Sequence, residues 1–224
     1  MSALSALPLS GQIINLLAAV LLLISFAMLV QRRILSLIDL FAAQGAVLCL
    51  STVLVAVTTG QRHLYFSAAI TLVLKVVLLP WILHRLIRRL NVKWDVEGLI
   101  NIPTTMLVGI VVVVVAFNLA LPISQLAGTL TRPTLGIALA TVLLAFLMMI
   151  TRSKAVPQVI GFLSMENGLF FAATSATYGM PMVVEMGIAL DVLIGMIIFG
   201  VFFFQIRTQF DSLDISHLEQ LKEK

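Results

Sequence analysis

Long apolar runs alternate with short polar or basic stretches along the whole chain. A helix needs about 20 predominantly apolar residues to cross the hydrocarbon core of a bilayer. Seven runs are of suitable length, and they are continuous, whereas the strands of a membrane barrel would alternate in polarity. The pattern therefore predicts an all-α integral membrane protein with seven transmembrane helices. The predicted spans are Ile13–Val30, Ile34–Thr58, Leu64–Leu83, Ile102–Ile123, Thr134–Ile150, Ala155–Tyr178 and Pro181–Ile206.

The composition supports this architecture and limits what lies outside the membrane. Of the 224 residues, 61% are hydrophobic and 11% are charged, whereas soluble domains carry about 25% charged residues. Seven spans use nearly all of the hydrophobic residues, which excludes a soluble enzyme and a sizeable extramembrane domain. We therefore predict a single transmembrane domain over residues 1–224, with a cytoplasmic tail at 207–224.

Metal and cofactor chemistry has little support in the sequence. Cys49 is the one cysteine, so a disulfide framework or a cysteine-ligated iron–sulfur centre in this chain is excluded. His63, His84 and His217 lie far apart in sequence, and the glycines form no dinucleotide-binding or phosphate-binding motif. We expect no catalytic residue, no cofactor and no metal in this chain.

Basic residues are distributed unevenly between the two ends of the predicted spans. Eleven of the 14 Lys and Arg lie on one side, Arg62 and Arg132 lie on the other, and Lys75 lies within a span. The eleven are Arg32, Arg33, Arg85, Arg88, Arg89, Lys93, Arg152, Lys154, Arg207, Lys222 and Lys224. Cytoplasmic loops carry the excess of Lys and Arg, which predicts an N-terminus outside and a C-terminus in the cytoplasm. Topology thus explains the net charge of +4, without nucleic acid as a partner.

Four polar residues lie near the middle of four different predicted spans: Gln44, Lys75, Glu166 and Asp191. At 1.5 Å per residue, each is about 15–16 Å from its span end, close to the midplane of a core about 30 Å thick. An ionisable group at this depth costs about 2.5–3.5 kcal/mol to insert and is a functional candidate by default. We predict proton transfer by Glu166, Asp191 and Lys75, with Gln44 as a possible further member.

Structural roles are the alternative for these charges. Lys75 could form a buried ion pair with Glu166 or Asp191 that joins helices. Glu185 lies nearer the outer end of the last span, where an interfacial role is as good an explanation as proton transfer. Asp39 lies close to a cytoplasmic span end beside Arg32 and Arg33, and a local salt bridge is the better explanation there than a place on a proton path.

A weak internal repeat relates the two halves of the chain. A basic step at Arg32-Arg33 leads into Gln44-Gly45, and a second basic step at Lys154 leads into Glu166-Asn167 after an offset of 122 residues. Spans one to three and five to seven run in the same directions, so the repeat is parallel. This argues against a transporter built on inverted repeats. In the first repeat, Gln44 occupies the position equivalent to Glu166. Its amide does not ionise, so it does not repeat the carboxylate.

Two motifs in the last spans resemble a specific family. Glu166-Asn167, in a helix entered from a basic step, and Asp191 followed by Ile194-Gly195 on the next helix resemble the K-type subunit of respiratory complex I. This resemblance covers about residues 134–215. Gly161–Phe170 and Tyr178–Pro181 extend the likeness over the whole chain, which resembles component E of the formate-hydrogenlyase-type (type-4) membrane [NiFe]-hydrogenases.

The resemblance implies a non-catalytic subunit of an oxidoreductase complex in the cell inner membrane. That complex would translocate protons or sodium ions. Glu166 and Asp191 match the two membrane carboxylates of the K-type subunit, although Asp191 replaces a glutamate. Lys75 resembles the relay lysines of antiporter-like subunits. The implied partners are antiporter-like membrane subunits, a membrane anchor subunit, phospholipids and a peripheral hydrogenase arm. That arm, rather than this chain, would hold the [NiFe] and iron–sulfur centres.

The chain would then provide a midplane proton path between the hydrogenase arm and the antiporter-like subunits. Two other functions stay open at this point. One is a structural membrane scaffold within the same complex, in which the buried charges hold helices together. The other is a free-standing secondary transporter.

Overall fold

The structure, a computed structural model, describes residues 9–90, 100–126 and 132–177, and the backbone at Gly187 and Gly195. The chain divides into two compact units, Met1–Ile188 and Ala189–Lys224. Nearly all of the described residues belong to the first unit, to which the rest of this description applies. The predicted cytoplasmic tail at 207–224 lies outside the described residues.

The described part of the chain is built from helices. The α-helices are α1 (Leu9–Val30), α2 (Ile34–Thr59), α3 (Arg62–Thr71), α4 (Leu79–Leu90), α5 (Ile102–Leu126), α6 (Arg132–Thr151) and α7 (Ala155–Thr177). A π-helix, Leu72–Leu78, joins α3 to α4. Helices suit these apolar runs because all backbone hydrogen bonds are made within the segment, where lipid offers none.

Five helical segments in the described residues are long and apolar enough to cross a membrane: Leu9–Val30, Ile34–Thr59, Leu64–Arg85, Ile102–Pro122 and Thr134–Thr151. They coincide with the first five predicted spans. The sixth predicted span forms the 23-residue helix α7, which is long enough, but polar residues such as Glu166 and Asn167 lower its hydropathy. The seventh, Pro181–Ile206, lies outside the described residues apart from Gly187 and Gly195.

Helices α2 and α6 hold the described bundle together. Helix α2 packs against α1, against α7 and against the α3–π–α4 span, while α6 packs against α1, α5 and α7. Glycines allow close approach at some of these contacts. A Cβ added to Gly168 would lie 2.9 Å from Val142 Cγ2, and one added to Gly45 would lie 3.2 Å from Lys75 Cβ.

The π-helix lies in the middle of the third span and contains Lys75. Its backbone hydrogen bonds reach one residue further than those of an α-helix, so it holds one more residue per turn; such segments are rare and frequent at functional sites. Lys75 is buried, at 2% exposure. Its side chain therefore faces the bundle interior rather than lipid.

Helix ends that the orientation prediction assigns to the basic side meet in the structure. Arg152, directly after α6, donates from Nη2 to Leu29 O at 2.7 Å and to Gln31 O at 2.9 Å, at the end of α1. Leu29 is in the last turn of α1, whose carbonyls the helix itself leaves without donors, and Gln31 follows the helix.

On the third span, the Arg85 guanidinium lies 5.3 Å from the ring centre of Trp81, a pairing that suits a membrane–water interface.

We expect labelling with a membrane-impermeant maleimide to reveal the orientation. In a Cys49→Ala background, Arg62→Cys should react in right-side-out vesicles and Ser153→Cys only in inside-out vesicles, because the two exposed positions lie at opposite ends of the spans. Labelling of Ser153→Cys from the outside would show that the orientation is reversed.

Candidate functional site

The charged pair Lys75 and Glu166 forms the centre of the candidate site. Lys75 Nζ donates to Glu166 Oε1 at 2.9 Å, and the two side chains are 2% and 5% exposed. Glu166 lies midway along α7 and Lys75 lies in the π-helix of the third span. The pair therefore joins two helices at a depth where neither group can reach the water at the membrane surface.

A chain of hydrogen bonds extends from this pair across two further helices. Lys75 Nζ also donates to Asn167 Oδ1 at 2.9 Å, and Asn167 Nδ2 donates to Gln44 Oε1 at 3.1 Å. Gln44 Nε2 donates to Ser25 Oγ at 3.1 Å, and Ser25 Oγ donates to Leu21 O at 2.9 Å. Each donor points away from the ammonium group. The dipoles of these successive hydrogen bonds are thus aligned to stabilise the positive charge of Lys75.

The surroundings of the pair are apolar and tightly packed. Lys75 Nζ lies 5.7 Å from the ring centre of Phe170, a distance at which an aromatic ring attracts a cation. A Cβ added to Gly187 would lie 3.0 Å from Phe170 Cδ2 and 3.8 Å from Glu166 Oε1. The backbone at Gly187 therefore approaches the site closely, and a larger residue there would displace Phe170.

The members of this network differ in the chemistry that they can perform. Carboxylate and ammonium groups in a medium of low polarity favour their neutral forms, while an adjacent opposite charge favours the charged forms. The amides of Asn167 and Gln44 do not ionise. They can orient the Lys75 ammonium group, and Lys75 and Glu166 are the two ionisable groups of the described network.

The structure brings together three of the four polar residues that the sequence placed at one depth. Lys75, Glu166 and Gln44 belong to one hydrogen-bonded network. Their role in proton transfer stays a prediction. Asp191 and Glu185 lie outside the described residues.

The local salt bridge expected between Asp39 and Arg32 or Arg33 is not what the structure shows. Asp39 Oδ1 lies 3.5 Å from His84 Nε2 instead, and its side chain is 71% exposed. Asp39 is six residues beyond Arg33, on a different face of the helix. Because α2 packs against α4, Asp39 contacts the end of the third span, apart from the buried network.

Asn167 and Ser25 belong to the network, although no site role was predicted for either. Ser25 is the one polar residue between Leu16 and Val30, which is a usable signal. Asn167 directly follows Glu166, but sequence alone does not reveal that it contacts both Lys75 and Gln44.

Among the described residues, no three His, Cys, Asp or Glu side chains come together in a way that could hold a metal ion. Cys49, a single buried thiol, donates to Ala68 O at 3.4 Å.

Relatives of this chain match it over nearly its whole length. Uncharacterized protein Rv0085 of Mycobacterium tuberculosis (strain ATCC 25618 / H37Rv) is 30% identical over 212 residues, covering 94% of this chain and 96% of that protein. Hydrogenase-4 component E of Escherichia coli (strain K12) and that of Shigella flexneri are each 24% identical over 212 residues, covering 95% of this chain and 98% of the relative. The chain belongs to the hydrogenase-4 component E family. No protein-family model matches it, and no solved structure matches it.

Membership in the component E family confirms the resemblance drawn from the motifs of the last spans. The similarity covers both halves of the chain rather than one motif. The finer likeness of residues 134–215 to the K-type subunit of complex I stays a prediction.

Proposed function

We propose that this component E protein is a multi-pass membrane subunit of a hydrogenase complex, and that Lys75 and Glu166 form part of a proton path through it. The complex would drive ion movement with the electrons of its peripheral hydrogenase arm. This chain would connect that arm to antiporter-like subunits through groups at mid-depth in the membrane. Asp191 would continue the path on the following helix.

The observation that carries the proposal is the buried contact between Lys75 and Glu166. Two groups that can both gain and lose a proton lie 2.9 Å apart on different helices, within the range for direct proton transfer. Lys75 lies in a π-helix, a backbone form enriched at functional sites. The network through Asn167 and Gln44 would keep the ammonium group in line with the carboxylate.

A structural scaffold is the second candidate, because the same network connects the first, second, third and sixth spans. Magnitudes favour the proton path. A hydrogen bond between membrane helices contributes about 0.6 kcal/mol on average, whereas removing an ion from water costs several kcal/mol. Apolar residues would hold these helices together without that penalty.

Infrared difference spectra of the complex test whether Glu166 exchanges a proton. We expect the reduced-minus-oxidised spectrum to contain a C=O band of a protonated carboxyl group that shifts in D₂O. The band should be absent from Glu166→Gln, because glutamine has no exchangeable carboxyl proton.

Asp39→Asn is the matched control, since it removes an exposed carboxylate that contacts His84 and lies apart from the network. This variant should keep the band. If Glu166→Gln removes no carboxyl band, the protonation of Glu166 does not change through the redox cycle, and the scaffold function is supported instead.

A further inference from the structure

A small cavity lies at the basic ends of three helices, apart from the Lys75–Glu166 site. Its volume is about 60 Å³, and its polar lining consists of Arg32, Asn101, Thr105, Thr151 and Arg152, with Leu29, Ile100 and Ile102 as apolar lining. About 10–15 Å³ of such space is enough for one water molecule. The cavity therefore has room for about four oxygen-sized atoms, which is the size of a phosphate group.

The guanidinium of Arg152 is the main reason to assign an anion to this cavity. Arg152 is 6% exposed, and two of its hydrogen bonds go from Nη2 to carbonyls at the end of α1. Its Nε–H is buried and has no hydrogen-bond partner in the described part of the chain. A buried donor without an acceptor lowers the stability of the fold by about 1–3 kcal/mol. An acceptor in the cavity would remove that penalty.

The positive charge around the cavity also favours a bound anion. Burial and the nearby positive charge of Arg32 lower the pKa of the Arg152 guanidinium from its usual value. Within residues 9–90, 100–126 and 132–177, neither arginine forms an ion pair with a carboxylate. Helix α5 begins at Ile102, which lines the cavity, and the N-terminal end of a helix dipole favours negative charge. An anion would offset two like charges.

We propose that this cavity binds the phosphate group of an anionic phospholipid. Arg32, Asn101 and Arg152 lie just beyond the ends of membrane-length helices, which is the depth of lipid headgroups. Basic pockets between helix ends on the cytoplasmic side are suited to such headgroups. The Thr105 hydroxyl, which donates to Asn101 O at 3.1 Å, would donate to the phosphate instead, and the exposed Ile100 (43%) would contact the start of an acyl chain.

Lipid binding by the full-length chain in phosphatidylcholine nanodiscs tests the proposal. Phosphatidylglycerol is titrated into the discs, and its affinity is obtained from the rise in Tm that it causes. We expect Arg32→Gln to bind about fivefold more weakly than the unmodified chain, as for the loss of one basic residue near anionic lipid. Thr105→Val should also bind more weakly, because it removes the hydroxyl without changing the charge.

Arg33→Gln is the matched control, because Arg33 is an exposed neighbour that does not line the cavity. It should bind as the unmodified chain does. Equal weakening of both arginine variants would indicate diffuse surface attraction and overturn the proposal, as would unchanged binding by Arg32→Gln.

Two further arms identify the source of the anion. Inorganic phosphate at millimolar concentration should not displace phosphatidylglycerol; if it does, the site takes a free anion and the lipid assignment is wrong. If the chain binds no phosphatidylglycerol, yet Arg32→Gln no longer assembles with its partner subunits, the cavity binds an acidic side chain of a partner, and the lipid proposal is also overturned.

Discussion

Replacing Glu166 with glutamine is expected to lower proton translocation by the complex about 100-fold, the scale for loss of a proton-transfer group, while the complex still assembles. The new amide oxygen can accept the hydrogen bond that Lys75 now donates to Glu166 Oε1, but it cannot carry a proton. The Lys75 ammonium group loses its anion in this variant, which lowers the free energy of unfolding by about 3–5 kcal/mol, the range for breaking a buried pair. Acidification by proteoliposomes containing the complex measures translocation, and hydrogenase activity in detergent shows that the arm is intact. Translocation at the native rate would exclude Glu166 from the path.

A double variant separates the proton path from the scaffold. Lys75→Met alone leaves the buried Glu166 carboxylate without its cation, a loss of about 3–5 kcal/mol for a buried pair. Lys75→Met combined with Glu166→Gln removes both charges and should recover most of this stability. If the pair is only structural, translocation returns with stability. If it belongs to the proton path, the double variant is stable and translocates as poorly as Glu166→Gln.

Leucine at Gly45 is expected to destabilise the bundle by about 1–3 kcal/mol, the range for an overpacked core, and to separate Lys75 from Glu166. The reason is steric, since the first added carbon would lie only 3.2 Å from Lys75 Cβ and 3.4 Å from Val76 Cγ2. Thermal unfolding of the purified chain in one detergent measures the change.

Ala43→Leu is the control for this prediction, since it adds a larger side chain to the exposed face of the same helix, two residues away. It should leave Tm nearly unchanged. An equal loss for both variants would mean that leucine disturbs α2 itself rather than its contact with the π-helix.

The positions of the spans could be read from the sequence because burial in lipid makes a strong local pattern. Helices α2 and α5 begin at Ile34 and Ile102, where the predicted spans begin. The midplane charges were also visible, since Lys75 and Glu166 interrupt long apolar runs. The sequence left two partners open for Lys75, and the structure places Glu166 beside it.

The connections within the site were harder to predict because they depend on tertiary packing. Asn167 and Ser25 enter the network only because α7 and α1 both pack against α2. Likewise, the Asp39 contact with His84 depends on how α2 faces α4. The π-helix has no local signal, because Leu72–Leu78 is an apolar run apart from Lys75, and such a run is equally suited to a regular α-helix.

The extra residue per turn in Leu72–Leu78 also sets the rotational phase of the third span. Each residue of an α-helix turns the chain by about 100°, so α4 faces the bundle at an angle that the periodicity of α3 does not give. A homologue with one residue fewer here could keep both ends of the span in register as a continuous α-helix, and its lysine would no longer face the carboxylate. Chain length in this segment, as much as the presence of lysine, would then distinguish relatives that retain the ion pair from those that have lost it.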